Sequence, residues 1–168
     1  LDSTNIYNSP MESKSPINLS NNVQLFIQDA NHFETTSKYR MIYFDPPFNS
    51  KRNYKLNVDS SVGFTDKWND DEYYNFIKVM IDKLYDLLEK NGTLFFHISS
   101  SCMFIPEVIL RQKFKFVEPI FWKKCRSKNN VKNKLGSTID IIWKCNKISK
   151  PKFNIVLQPK DPTYLKNS

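Results

Sequence analysis

The residues best suited to chemistry are Asp45, Pro46, Pro47 and Phe48. They follow an apolar run, Met41-Ile42-Tyr43-Phe44, of the kind that forms a buried strand. A carboxylate therefore stands at a strand's C-terminal end, where open α/β sheets bind ligands. The two prolines fix φ and remove two backbone donors, so nearby carbonyls can point at a substrate rather than at a neighbouring strand. A carboxylate, a carbonyl and an aromatic ring in succession suit a planar substrate carrying an exocyclic amine.

The lone pair of such an amine is delocalised into the ring, so the nitrogen is a poor nucleophile toward a methyl donor. An acceptor for each N–H draws it toward a tetrahedral geometry. Asp45 can accept one N–H and the Pro46 carbonyl the other, with Phe48 stacked on the base face. A base in a duplex has to leave the helix to reach such a site. The methylated ammonium is acidic and can lose its proton to solvent, so no histidine base is required. His32 and His97 are accordingly read as structural.

The elements that must position this tetrapeptide follow from pattern. Residues 1–20 are rich in Ser, Asn and Pro and read as a flexible arm. Val23 to Gln28 reads as a strand, followed by a short helix or turn over Asn31 to Ser37. Residues 49–69 read as a long loop carrying Lys51, Arg52 and Lys55 among aromatics. A helix is predicted next, capped by Asp70 or Asp71, with Tyr73, Phe76, Ile77, Met80, Ile81, Leu84, Leu87 and Leu88 recurring at helical spacing and Gly92 just past its end. Strands are predicted at Thr93–Ile98, Phe116–Trp122 and Ile139–Cys145, and a short helix over 104–113 with Pro106 in its first turn. The basic segment from Lys123 to Ser137 then joins a hairpin. Residues 150–168 read as extended and irregular, which leaves 21–149 as the catalytic region. This order predicts an α/β fold: a mainly parallel sheet with an antiparallel end, covered by helices on both faces.

The chain of 168 residues is one domain's worth, and its 25 basic against 17 acidic side chains leave a net charge of +8. Two readings of that excess stand side by side: a polyanionic partner, or an AT-rich coding sequence that inflates Lys and Asn. Cys102, Cys125 and Cys145 form no CxxC pair, so neither a metal site nor a disulfide framework is expected. No apolar stretch reaches membrane-spanning length, and a cytoplasmic (or, in a eukaryote, nuclear) protein is expected. The only glycines are Gly63, Gly92 and Gly136, so no glycine-rich nucleotide-binding turn is present.

The Asp-Pro-Pro-Phe motif resembles the catalytic motif of S-adenosylmethionine-dependent DNA N6-adenine methyltransferases of the β group. The resemblance runs over roughly residues 23–168. It takes in Gln28-Asp29-Ala30, Asn49, Phe64, Asp66 and Trp68, then Phe121-Trp122-Lys123-Lys124, Ser127, Asn130, Lys134-Leu135-Gly136, Asp140, Gln158-Pro159-Lys160-Asp161 and Tyr164. It implies a Rossmann-like methyltransferase sheet in which Asp45, Pro46, Pro47 and Phe48 hold the target amine of adenine in DNA. It also implies that Asp29, with Ala30, contacts the adenine of S-adenosylmethionine, although a helix cap is an alternative role for Asp29. Asn49, Lys51, Arg52, Trp122, Lys123, Lys124 and Arg126 are the candidate nucleic-acid contacts, with surface charge, or a core position for Trp122, as the rival account. In the β-group order the glycine-rich cofactor motif comes last. Its absence implies an incomplete sheet: the catalytic half of a larger enzyme, with the remainder in a missing C-terminal half or a second polypeptide. A catalytically incomplete nucleic-acid-binding subunit or remnant, or an RNA methyltransferase, is the alternative.

Overall fold

The computed structural model describes residues 15–55, 63–124 and 138–148. The chain divides into two compact units, Leu1–Ser37 and Lys38–Ser168.

In the first unit, β1 (Ile17–Ser20) pairs antiparallel with β2 (Val23–Leu25), and a 3-10 turn follows at Ala30–His32. The expected arm therefore ends in a strand at Ile17. The strand expected over Val23 to Gln28 stops at Leu25 and forms no part of the larger sheet. The side chains of both strands are exposed, so this hairpin rests on pairing such as Gln24 Nε2 donating to Asn18 Oδ1 at 3.1 Å.

The second unit holds a four-stranded sheet of β3 (Tyr39–Phe44), β6 (Leu88–Ser99), β7 (Phe116–Lys123) and β8 (Ile139–Asn146). Its order is β3-β6-β8-β7. β3 and β6 run parallel, and β8 runs antiparallel to both β6 and β7. The sheet is thus mixed, as expected, but the antiparallel strand lies inside it rather than at its end. β7 is the edge strand and tolerates Pro119 for that reason.

Two helices pack on one face of this sheet. The helix α1 (Asp70–Leu87) is capped by Asn69, one residue before the carboxylates expected to cap it. Asn69 Oδ1 accepts from the Glu72 N–H at 2.8 Å, and Glu72 reaches back to the Asn69 N–H at 3.4 Å. This reciprocal pair satisfies two of the helix's orphan donors, while Asp70 and Asp71 fill the first turn and favour its dipole. The helix α2 (Phe104–Lys113) spans the expected residues, with Pro106 buried in its first turn. Tyr73, Ile77, Ile81 and Leu84 of α1 and Ile109 and Leu110 of α2 close on Leu94, Phe96 and Ile98 of β6 and on Ile141, Trp143 and Cys145 of β8. Those strand residues alternate, so Phe95, His97 and Ser99 must face the other side. The expectation of helices on both faces is not met among the described residues, where Met41 and Tyr43 on that second face stay exposed.

Gly92 does not end α1. The helix stops at Leu87, and Leu88, already extended at φ −80° and ψ 135°, opens β6 directly. Between the pairs Tyr39–Leu88 and Met41–Thr93, β6 carries three more residues than β3, and Gly92 lies in that bulge. A Cβ there would stand 2.9 Å from the Arg40 carbonyl oxygen and 2.9 Å from Leu88 Cδ1. The glycine is needed for close approach, not for helix termination. Replacing Gly92 with Ala is expected to destabilise the fold by about 1–3 kcal/mol, the usual cost of overpacking. Urea unfolding of the two proteins checks this.

The stretch expected as a loop over residues 49–69 contains a hairpin. β4 (Arg52–Lys55) pairs antiparallel with β5 (Gly63–Asp66), Arg52 opposite Asp66. Four-residue strands without an apolar alternation leave little periodic signal. The segments expected to be irregular at 150–168 and basic at 125–137 lie outside the described residues.

Candidate active site

Phe44 pairs with Phe96, so the chain leaving β3 brings Asp45 level with His97 at the end of the parallel strands. The Asp45 side chain is half exposed there, Pro46 is buried, and Phe48 is partly buried against the core. The phenol of Tyr73, on the first turn of α1, donates to the Pro47 carbonyl at 2.9 Å. Burial pushes the Tyr73 hydroxyl well above its ordinary range, with the neighbouring Cys102 and Asp66 adding to the shift. It therefore stays protonated as that donor.

Beyond Phe48 the backbone makes a tight turn with two non-glycine residues at positive φ, Asn49 at 54° and Lys51 at 59°. Asn adopts this region with relative ease, whereas a Lys there costs about 1–2 kcal/mol. The carboxylate of Asp66, at the end of β5, holds the turn. Its Oδ1 accepts from the Asn49 N–H at 2.9 Å and its Oδ2 from the Ser50 N–H at 2.8 Å. The Asp66 carbonyl takes the Lys51 N–H at 2.8 Å. The Asn49 amide oxygen in turn accepts from the Trp68 N–H at 3.0 Å. Lys51 Nζ donates to the Trp68 carbonyl at 2.5 Å and pairs with Asp70 at 3.4 Å. Successive N–H groups gripping one buried carboxylate form an anion nest that the protein fills itself.

A second cluster lies on the sheet face away from the helices. His97 Nδ1 is 2.8 Å from the Tyr43 hydroxyl and 3.4 Å from Asp45 Oδ1. His97 Nε2 points at Asp140 Oδ2, 3.6 Å away, and makes no hydrogen bond. Asp140 is buried, and its Oδ1 accepts from Lys124 Nζ at 2.7 Å. The Phe48 ring meets the imidazole edge-on with centroids 5.5 Å apart. Partial burial, then the charges of Asp45 and Asp140, raise the Tyr43 hydroxyl's pKa.

The sequence-predicted residues separate accordingly. Asp45, Pro46, Pro47, Phe48, Asn49 and Lys51 form one continuous stretch, with Arg52 exposed at the start of β4. Lys124 joins it through Asp140 and His97. Trp122 and Lys123 are exposed at the end of β7, with Trp122 opposite Asp140. That edge lies three strand spacings from β3, roughly 14 Å. Asp29 and Ala30 belong to the first unit, where Asp29 Oδ1 accepts from the backbone N–H of Asn31 at 2.8 Å and from its side-chain amide at 3.0 Å. Arg126 lies outside the described residues. Sequence reasoning passed over Tyr43, Tyr73 and the central place of His97. The signal available for His97 was its odd position in the alternation Leu94-Phe95-Phe96-His97-Ile98, which sets it opposite Phe96.

Residues 39–167 match the DNA methylase family, and the chain belongs to that family. Over 131 residues it is 25% identical to the Type II methyltransferase M.EcaI of Enterobacter cloacae. That match takes in 76% of this chain and 29% of the relative, so the chain spans under a third of the relative's length. Among the described residues, no helix is long and apolar enough to cross a membrane.

The Asp66 clasp has a measurable weight. Asp66→Ala removes the acceptor of two N–H groups, and each one left unpaired and shielded from water costs about 1–3 kcal/mol. Denaturant unfolding is expected to show a loss in that range or above. Hydrogen exchange is expected to speed up at the Asn49 and Ser50 amides.

Proposed function

We propose that this chain carries the amine-holding part of an S-adenosylmethionine-dependent DNA methyltransferase that acts on adenine N6. The observation that carries the reading is the Asp45 carboxylate. It is half exposed at the end of a parallel strand, on a backbone fixed by Tyr73 on one side and by Asp66 on the other. Asp45 accepts one N–H of an adenine extruded from the duplex, and the Pro46 carbonyl accepts the other. Phe48 packs on the base. Both acceptors pull electron density onto the nitrogen, which attacks as its geometry becomes tetrahedral. Once the new N–C bond has formed, the ammonium gives up one proton.

S-adenosylmethionine, when bound, would supply the electrophilic methyl group, its S–C bond breaking as the N–C bond forms and the electron pair staying on sulfur. Asp29 and Ala30 are the residues proposed to hold it. Asp29 Oδ1 already serves Asn31, so a cofactor contact falls to Asp29 Oδ2. The remainder of the cofactor site is assigned to protein outside this chain, in the same or a second polypeptide.

Lys51, Arg52, Lys123, Lys124 and Arg126 are proposed to follow the phosphate backbone, a contribution that weakens as salt rises. The edge strand that carries Trp122 lies roughly 14 Å from β3, which supports assigning Trp122 to a nucleotide beside the target rather than to the base held by Asp45. Trp122→Ala is expected to raise KM for DNA severalfold and to leave kcat close to wild type, as steady-state kinetics would show.

The decisive measurement is transfer of labelled methyl groups from the cofactor to duplex DNA by the full protein. Asp45→Ala is expected to lower incorporation by at least ~100-fold, the scale of losing one positioned catalytic group. Equal incorporation by the two proteins rejects the assignment. Competing RNA and DNA oligonucleotides separates a DNA substrate from an RNA one.

A further inference from the structure

We propose that His97 is a positioning residue for Asp45, holding one carboxylate oxygen so that the other faces the target amine. The inference rests on the reading of Asp45 as the amine's acceptor.

The imidazole lies between two carboxylates. Asp45 Oδ1 is 3.4 Å from Nδ1, and Asp140 Oδ2 is 3.6 Å from Nε2. A neutral imidazole has one N–H and one lone pair, so it can serve only one of them. Further groups face the ring. On β3, the Tyr43 hydroxyl stands 2.8 Å from Nδ1 and can accept from it as well as donate. From β8 comes Asp140, whose other oxygen is held by Lys124 at 2.7 Å, just after β7. One rung away on the same face, Lys144 of β8 is occupied by Glu118 of β7 at 2.7 Å. The Phe48 ring closes the remaining side edge-on.

This arrangement gives each member a fixed direction. Lys124 sets Asp140, Asp140 flanks Nε2, and Nδ1, hydrogen-bonded to the Tyr43 hydroxyl at 2.8 Å, stands 3.4 Å from Asp45 Oδ1. With Oδ1 held, Asp45 Oδ2 is left for the amine. The His97 side chain is only 17% exposed, so water competes poorly for the inner contacts. Asp45 is 55% exposed, and a carboxylate free to rotate there would spread over several rotamers. Locking it before the base arrives is pre-organisation of the kind that lowers a barrier without altering affinity.

The test compares His97→Phe and His97→Asn with wild type in the full protein. Phe keeps a ring between Tyr43 and Phe48 but has no donor. Asn offers an N–H near the place of Nδ1 at every pH. His97→Phe is expected to lower kcat about 10–100-fold while KM for DNA stays within roughly twofold. His97→Asn is expected to recover most of that loss. Two results overturn the proposal: wild-type kcat in His97→Phe, or a His97→Asn protein as impaired as His97→Phe. If His97→Phe does not fold, His97→Gln, whose amide donor reaches the place of Nε2 rather than of Nδ1, is compared with His97→Asn, and equal kcat in the two rejects the role. Asp45→Ala, run alongside, tells the two readings apart. Its retaining activity removes the functional assignment itself, whereas an inactive Asp45→Ala beside an unaffected His97→Phe removes only the role of His97.

Discussion

The grip of the Asp66 carboxylate on the Asn49 and Ser50 amides is the interaction on which the site depends. A strand that ends in two prolines cannot continue its ladder, so the chain beyond Phe44 must be held by something other than a neighbouring strand. The structure supplies two anchors on either side of Phe48. Tyr73 fixes Pro47 from α1, and Asp66 fixes the turn from β5. The positive φ of Asn49 and Lys51 bends the chain back so that β4 pairs with β5, which brings Asp66 under the same turn. The hairpin and the turn thus require each other. Neither stands on apolar burial alone, since most of their described side chains are exposed or only partly buried.

The central strand β6 makes the division of labour on the sheet. Leu94, Phe96 and Ile98 are fully buried under α1 and α2, and carry the hydrophobic load. Residues between them face away and are free of that demand. His97 can therefore be polar without a penalty to the core, and Asp140 on the adjacent strand can be buried because Lys124 neutralises it. Strand alternation, not loop geometry, decides that the imidazole emerges beside Asp45.

Much of this was legible in the sequence, for definite reasons. The strand before Asp45 follows from a short apolar run, and the apolar stripe of α1, the bounds of α2 and the pair β7 and β8 follow from longer patterns. The family and the Asp45 motif were legible from residue types in succession. What escaped depended on contacts distant in sequence. Gly92 looked like a helix stop because glycines end helices, yet its reason is the Arg40 carbonyl across the sheet. Asn69 was passed over for Asp70, since both residue types cap well and only geometry separates them. β4 and β5 were hidden because their stability comes from Asp66 and backbone pairing rather than from an apolar alternation.

Three carboxylates near the rim show how one functional group takes different roles by environment. Asp66 is buried and spends both oxygens on backbone N–H groups, so it has nothing to offer a substrate. Asp140 is also buried and committed to Lys124 through one oxygen, with its other turned toward His97. Asp45 alone is half exposed, with its Oδ1 3.4 Å from the imidazole. A carboxylate accepts several hydrogen bonds, and leaving that capacity unused is tolerable only where solvent or a ligand can fill it. The half-exposed carboxylate of Asp45 has such capacity, and the proposed capture of an amine draws on it.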